Sequence, residues 1–382
     1  MSIRIKLFCH SIVSDWNHGN AHFLRGILTE FAVRGFDVES LEPDDSWSRR
    51  NLEQAHGPGF IQEFADRYPS ICWRTYNLER VRVGDLIGDA DIAIVHEWNT
   101  PNLIAGIGSY RRRNRNLRVF FHDTHHRAVT AAHEMRLNDL ADYDGILVYG
   151  QALREAYRKL GWTSGVHVWH EAADTRVFKP LSKDSGGEGL VWVGNWGDDE
   201  RAKELEEFLI RPVRELKIQA KVYGVRYPAQ AIEQLHAADI DYGGWLPNYQ
   251  APEVFSRHQV TVHVPRRPYS SRLAGIPTIR PFEVMACCLP LISSPWEDVE
   301  GLFRKGEDYL LARDGNDMKV LLQEVLHDRK LAAALGRNGL ATIQKRHTCS
   351  HRVDEFLRIY KRVSPVAGKM AAPGAPEVGI CG

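Results

Sequence analysis

Apolar runs and polar breaks alternate along the chain with two different spacings. Short apolar runs at residues 92–95, 117–121 and 145–149 have the continuity of strands buried on both faces of a parallel sheet, and the more mixed segments 3–9, 36–41 and 166–170 also read as strands. Between some of them, at residues 23–33 and 151–160, apolar positions recur every third or fourth residue and predict amphipathic helices. A second series begins near residue 190, with strands expected at 190–193, 218–222, 260–264 and 289–292. Helices are expected there at 200–216, 229–237, 281–288, 318–327 and 330–346. Two successive strand–helix series predict an α/β chain of two doubly wound, Rossmann-like domains facing across a cleft.

The expected organisation is a first domain over residues 1–170, a polar linker over 171–187 containing Pro180, and a second domain over 188–363 whose last helix has the option of packing back on the first. Residues 364–382, small and rich in Pro and Gly, read as a disordered tail. A length of 382 residues suits two such domains.

Polar groups recur where strands end. The run 92–95 is followed by His96-Glu-Trp-Asn99, the run 117–121 by His122-Asp-Thr-His-His126, and the first strand by a polar loop that contains Gly19 and Asn20. In doubly wound sheets ligands bind outside the carboxyl ends of the strands, so these clusters are candidate site walls. The segment running from Gly275 through Glu283 to Ser293 is the most informative. It predicts a glutamate in the first turn of an apolar helix, where a carboxylate accepts ribose hydroxyls and the helix N-terminus favours phosphate.

Charge and composition narrow the chemistry. Lys plus Arg and Asp plus Glu both number 49, so no global field draws nucleic acid, and anion binding must be local. No run of about 18 apolar residues occurs and the start has no secretory pattern, which leads us to expect a cytoplasmic protein without a membrane span. The spacing within His122-Asp-Thr-His-His126 is not that of paired helical metal ligands, and no metal site is expected.

Two longer motifs carry a family resemblance. Glu171-Ala-Ala-Asp-Thr-Arg-Val-Phe-Lys-Pro180 resembles a linker signature, and Arg280-Pro-Phe-Glu-Val-Met-Ala-Cys-Cys-Leu-Pro290 a donor-site signature, of the GT-B glycosyltransferases of the family-4-like and CgeB-like group. Val193-Gly-Asn-Trp-Gly197 is similar to that group's glycine loop. The chain departs from the pattern at three places: Gly275 stands where retaining members often carry a second acidic residue, Asn195 and a displaced Arg201 stand for the usual Arg and Lys, and Cys288 for a glycine.

The resemblance implies transfer of a sugar from a nucleotide-diphosphate donor to a sugar, lipid or protein acceptor, with no obligatory metal or other cofactor. In that reading Glu283 holds the ribose, Gly194, Asn195, Gly197, Arg201 and Arg280 surround the nucleotide sugar, and Gly19 and Asn20 approach the diphosphate on lobe closure. At least one of Arg266 and Arg267, which follow a buried strand, stabilises the departing diphosphate. His122 and Asp123 act on the sugar side as base or hydroxyl ligand, with His96 and Glu97 lining the same region. Two other readings share the fold: a non-catalytic sugar-nucleotide or polysaccharide-binding structural or maturation protein, and a sugar-nucleotide epimerase.

Overall fold

The computed structural model describes residues 2–163, 165–182 and 187–363. Two compact units are present. Residues up to His170 together with the helix Cys349–Val363 form the first, and Glu171–Thr348 the second.

The first unit is built on a seven-stranded, wholly parallel sheet. Its strands are β1 (Arg4–Phe8), β2 (Asp37–Pro43), β3 (Cys72–Tyr76), β4 (Ile92–His96), β5 (Arg118–Asp123), β6 (Gly145–Val148) and β7 (Val166–Val168). Their spatial order is β3-β2-β1-β4-β5-β6-β7. The order reverses direction between β1 and β4, the topological switch point at which such sheets bind ligands. The central strands β4, β5 and β6 are buried at every residue, which is why they read as continuous apolar runs.

The second unit carries β8 (Glu188–Val193), β9 (Ala220–Tyr223), β10 (Ile240–Tyr242), β11 (His258–His263), β12 (Leu291–Ser293) and β13 (Leu310–Leu311), ordered β10-β9-β8-β11-β12-β13 and again parallel. Its two apolar cores lie on opposite faces of that sheet. Leu190 and Trp192 pack into one core, with Val222 and Val260, while the intervening Val191 packs into the other, with Phe255, Phe282 and Met285.

Three elements differ from expectation for visible reasons. The helical stretch after residue 200 is broken by a π-helical turn at Glu206–Ile210, just ahead of Pro212, whose ring cannot sit under the carbonyl four residues earlier. The helix expected at 281–288 runs instead over Ile279–Ala286, so Glu283 stands in its second turn and no acidic residue occupies the first. Cys288 lies just beyond that helix with φ +60°, the left-handed conformation in which helices usually place glycine, and Gly336 packs against its carbonyl.

The helix Cys349–Val363, placed by sequence at the end of the second domain with the option of packing back on the first, belongs to the first unit. Its Phe356 ring lies 5.6 Å from Phe31, 5.2 Å from Phe120 and 5.7 Å from Trp169, and Trp169 Nε1 donates to Arg352 O at 2.8 Å. At the start of the expected linker, residues 171–174 are buried and join the second unit, where Ala173 N donates to His347 O. The remainder of the linker at 183–186 and the expected tail at 364–382 lie outside the described residues.

Candidate functional site

In the second unit the polar groups gather at the carboxyl ends of β8, β11 and β12. The loop after β8 needs its glycines. A Cβ on Gly194 would come 2.7 Å from the Trp192 ring, and Gly197 has φ +82°. Asn195 pins this loop rather than facing outward: its Oδ1 accepts Val225 N at 3.0 Å, and its carbonyl accepts Arg201 Nη2.

Arg201 is half-buried, donates Nη1 to Val264 O at 3.1 Å and lies 5.1 Å over the Trp192 ring. Burial lowers its pKa to about 10, and the neighbouring charges of Arg266 and Arg280 push in the same direction. Arg201 reaches the carbonyl of Val264, two residues before Arg266, and Arg280 follows Thr278, which bonds His263 of the same strand, so the three arginines gather at the end of β11. The two carboxylates bonded to the cluster are Glu200, on Arg266 at 3.1 Å, and Glu283, on Arg280. A concentration of fixed positive charge and N–H donors of this kind suits a diphosphate.

Arg267 is not part of the cluster. It turns away to form a bidentate pair with Glu204, at 2.8 and 3.1 Å, on the exposed side of the helix Arg267–Ser271. Pro268 starts that helix, and the change of direction separates the adjacent arginines.

Glu283 is fully buried, with Oε1 accepting Asn248 Nδ2 at 2.9 Å and Oε2 accepting Arg280. These two bonds fix the orientation of the carboxylate. Glu171 is buried nearby, and burial together with the charge of Glu283 holds its carboxyl well above the usual range. His263, at the end of β11, bonds Ser293 Oγ through Nδ1 at 3.0 Å and Thr278 Oγ1 through Nε2 at 3.2 Å, tying β12 to the start of the Glu283 helix. Its pKa falls to about 3 through burial and then through Arg201 and Arg280. Sequence reasoning missed Asn248, Glu171 and His263; of these, only His263 had a local signal, as a polar residue closing an apolar strand just before Arg266.

The first unit's cluster forms at the ends of β1, β4 and β5 around four histidines. Ring centroids of His10 and His18 are 4.1 Å apart, His18 and His96 6.1 Å, and His96 and His122 5.3 Å. His122 is wholly buried between His96, Trp169 and Phe23, and neither ring nitrogen has a hydrogen-bond partner. Burial alone lowers its pKa to about 3, so it is neutral near pH 7.

His122 and Asp123 do not act as a pair. Successive strand residues face opposite sides of the sheet, and Asp123 accepts Tyr157 Oη at 2.6 Å and His125 N at 2.8 Å. The next pair, His96 and Glu97, converges on Thr124 instead. His96 Nε2 meets Thr124 Oγ1 at 3.4 Å, while Glu97 accepts Thr124 N at 3.0 Å and Arg127 Nη2 at 3.0 Å. Burial raises both carboxyl groups, Glu97 further through the charge of Asp123. Asp123 and Glu97 therefore brace the turn after β5, a structural task that their position beside histidines did not reveal.

Gly19 is exposed in the turn before the helix Ala21–Val33, and Asn20 sends its amide to Thr124 Oγ1 rather than capping that helix. Among the described residues no group of three His, Cys, Asp or Glu side chains is placed to hold a metal ion, and no helix is long and apolar enough to cross a membrane.

Comparison with known proteins bears on these two clusters. Residues 201–358, which include Arg201, Arg266, Arg280 and Glu283, match the model of a family described as glycosyl transferase-like. No curated protein sequence matches the chain. Among solved structures, sucrose-phosphate synthase from Thermosynechococcus elongatus superposes with a TM-score of 0.63 at 15% identity, covering 94% of this chain and 99% of that one. HepE from Anabaena, solved with UDP and glucose, gives 0.64 at 13% identity over 94% and 100% of the two chains. An alpha-glucosyltransferase solved with UDP and a 13-mer DNA gives 0.68 at 13% identity, again over 94% and 100%. At such identities the likeness is one of fold, and the fold is that of the GT-B glycosyltransferases.

Proposed function

From a GT-B fold whose second unit carries the glycosyl transferase-like pattern, we propose that the protein transfers a sugar from a nucleotide-diphosphate sugar to an acceptor hydroxyl, without a metal. The observation that carries this reading is the convergence of Arg201, Arg266 and Arg280 beside the buried, oriented carboxylate of Glu283. As the bond from the anomeric carbon to the diphosphate breaks and the bond to the acceptor oxygen forms, negative charge grows on the diphosphate. Fixed guanidinium groups stabilise charge that appears late, and this is the task a metal would otherwise perform. Glu283 accepts the ribose hydroxyls. UDP, present in the HepE and alpha-glucosyltransferase structures, is the first nucleotide to test.

In the first unit we assign the sugar side to His122. A neutral imidazole with both nitrogens unbonded accepts a sugar hydroxyl's hydrogen bond at one nitrogen and donates one from the other, while burial keeps it too weakly basic to take the proton itself. Asp123, Glu97 and Arg267 leave the reacting set, because each is committed to a structural partner.

Isothermal titration of UDP into the wild type and Glu283→Ala, with and without EDTA, tests the reading. Loss of roughly tenfold or more in the variant is expected, since charge-assisted hydrogen bonds contribute about 1.5–3 kcal/mol. Equal affinities would sink the ribose assignment, and loss of wild-type turnover with EDTA would sink metal independence.

One observation favours a second reading, in which the protein binds a sugar nucleotide without catalysis. Gly275, at the family's acidic position, has φ +90°, and a Cβ there would lie 2.2 Å from Val299 Cγ2. No acidic side chain fits this backbone. Release of free nucleotide by purified protein only when acceptor is added would decide for transfer.

A further inference from the structure

The ends of β1 and β4 carry an aromatic cluster that the reading above does not use. His10 lies flat on Trp47, with centroids 5.1 Å apart and planes 6° from parallel, and meets Trp98 edge-on at 6.4 Å. Trp16 meets Trp47 edge-on at 5.9 Å. Trp98 is 37% exposed, one of few large apolar side chains open to solvent among the described residues, while Trp16 and Trp47 are half-buried.

The backbone that presents these rings is held firmly. Glu42 accepts Ile12 N and Val13 N at 2.5 and 3.3 Å, and buried Arg25 donates to Ile12 O, Val13 O and Asp15 Oδ2. Ser48 Oγ donates to Trp16 O at 2.8 Å, joining the loop that bears Trp16 to the helix that bears Trp47. Such pre-organisation lowers the ordering cost of binding.

Within this rigid aromatic wall His10 is 4% exposed, and neither of its ring nitrogens has a partner. A buried polar group left unpaired in a native fold calls for a specific explanation, and a ligand hydroxyl supplies one. The chemistry that matches is narrow. Ring faces carry negative charge that attracts the weakly positive C–H bonds of a pyranose, and a sugar's hydroxyls both donate to and accept from a neutral imidazole. Arg127 lies 4.1 Å over one face of Trp98 and His10 covers one face of Trp47, which leaves the exposed part of Trp98 for a ligand. An acyl chain would leave His10 unsatisfied, and a single serine or threonine hydroxyl would leave that exposed surface uncovered.

We propose that the acceptor is a carbohydrate, and that Trp16, Trp47 and Trp98 form its binding wall, with His10 bonding its hydroxyls. This rests on the transferase reading for the word acceptor, but the wall is built from residues of the first unit alone. No donor is required for binding.

Tryptophan fluorescence, followed without nucleotide, tests the wall with tetrasaccharides of glucose, xylose, mannose and N-acetylglucosamine as probes. At least one is expected to quench saturably, with affinity falling about tenfold or more in Trp98→Ala and in His10→Ala and recovering to within about threefold in Trp98→Phe. Trp98 is exposed, so its variants fold. UDP affinity, measured in the same samples, is expected to be unchanged. If no tetrasaccharide binds, or if one binds equally well to Trp98→Ala and His10→Ala, the proposal is overturned. If a tetrasaccharide binds at the wall while UDP fails to bind the wild type, the carbohydrate site stands and the transferase reading falls.

Discussion

The carboxyl edges of the two sheets are built on the same topology and carry opposite electrostatics. In the second unit three arginines crowd together, close enough for their charges to depress the pKa of Arg201. In the first, the groups at the strand ends are imidazoles kept neutral by burial and carboxyl groups raised by it. The contrast teaches that strand order locates a site without determining its chemistry. A charged edge suits a phosphate-bearing group, and a neutral, aromatic, hydrogen-bonding edge suits sugar hydroxyls.

The comparison breaks first at His122. His122→Ala should lower turnover by about 10- to 100-fold, the size of one or two lost hydrogen bonds to the sugar, and leave UDP affinity unmoved; a parallel fall in affinity would show that the two edges are not chemically separate. Arg201→Ala should do the reverse, weakening UDP binding by about 10- to 100-fold in a calorimetric titration, with Arg201→Lys intermediate because a single ammonium lacks the planar fork.

A third test uses the neutrality of His122. Its folded pKa of about 3 lies below the ordinary 6.5, so between these values the unfolded chain holds a proton that the folded one does not. Stability fully present above pH 6.5 is therefore lost as pH falls. Urea denaturation between pH 6.5 and 5 should show His122→Phe less acid-sensitive than wild type, by up to about 1.4 kcal/mol per pH unit. Identical slopes would mean that His122 is solvated. The smallest effect is expected at Arg267: Arg267→Ala, which removes only an exposed pair with Glu204, should leave UDP affinity within about twofold.

Much of this was legible because doubly wound sheets write themselves plainly. Strands β4, β5 and β6 are buried at every residue, and their polar residues stand only at strand ends, Arg118 at the start and His96, His122 and Asp123 at the carboxyl side. The edge strands β3 and β10 and the two-residue β13 were not expected, since half-exposed or very short strands carry mixed residues and no clear period. The helix Pro101–Arg113 was missed although its start is marked by Thr100, whose side chain accepts Leu103 N, and by Pro101 in the first turn. Glu283 was found from its local motif. Asn248, which orients it, lies 35 residues away, and nothing near Asn248 in sequence announces that contact. The opposite facing of His122 and Asp123 was available from strand periodicity alone, since neighbouring residues on a strand never share a side.

The closing of the first unit by the helix Cys349–Val363 has a consequence for biosynthesis. Arg34 pairs with Asp354, 320 residues later, and Phe31, Phe120 and Trp169 all wait for Phe356. The strands of this sheet therefore leave the ribosome well before residues 349–363, and until that helix follows, the aromatic face formed by Phe31, Phe120 and Trp169 stays without this cover.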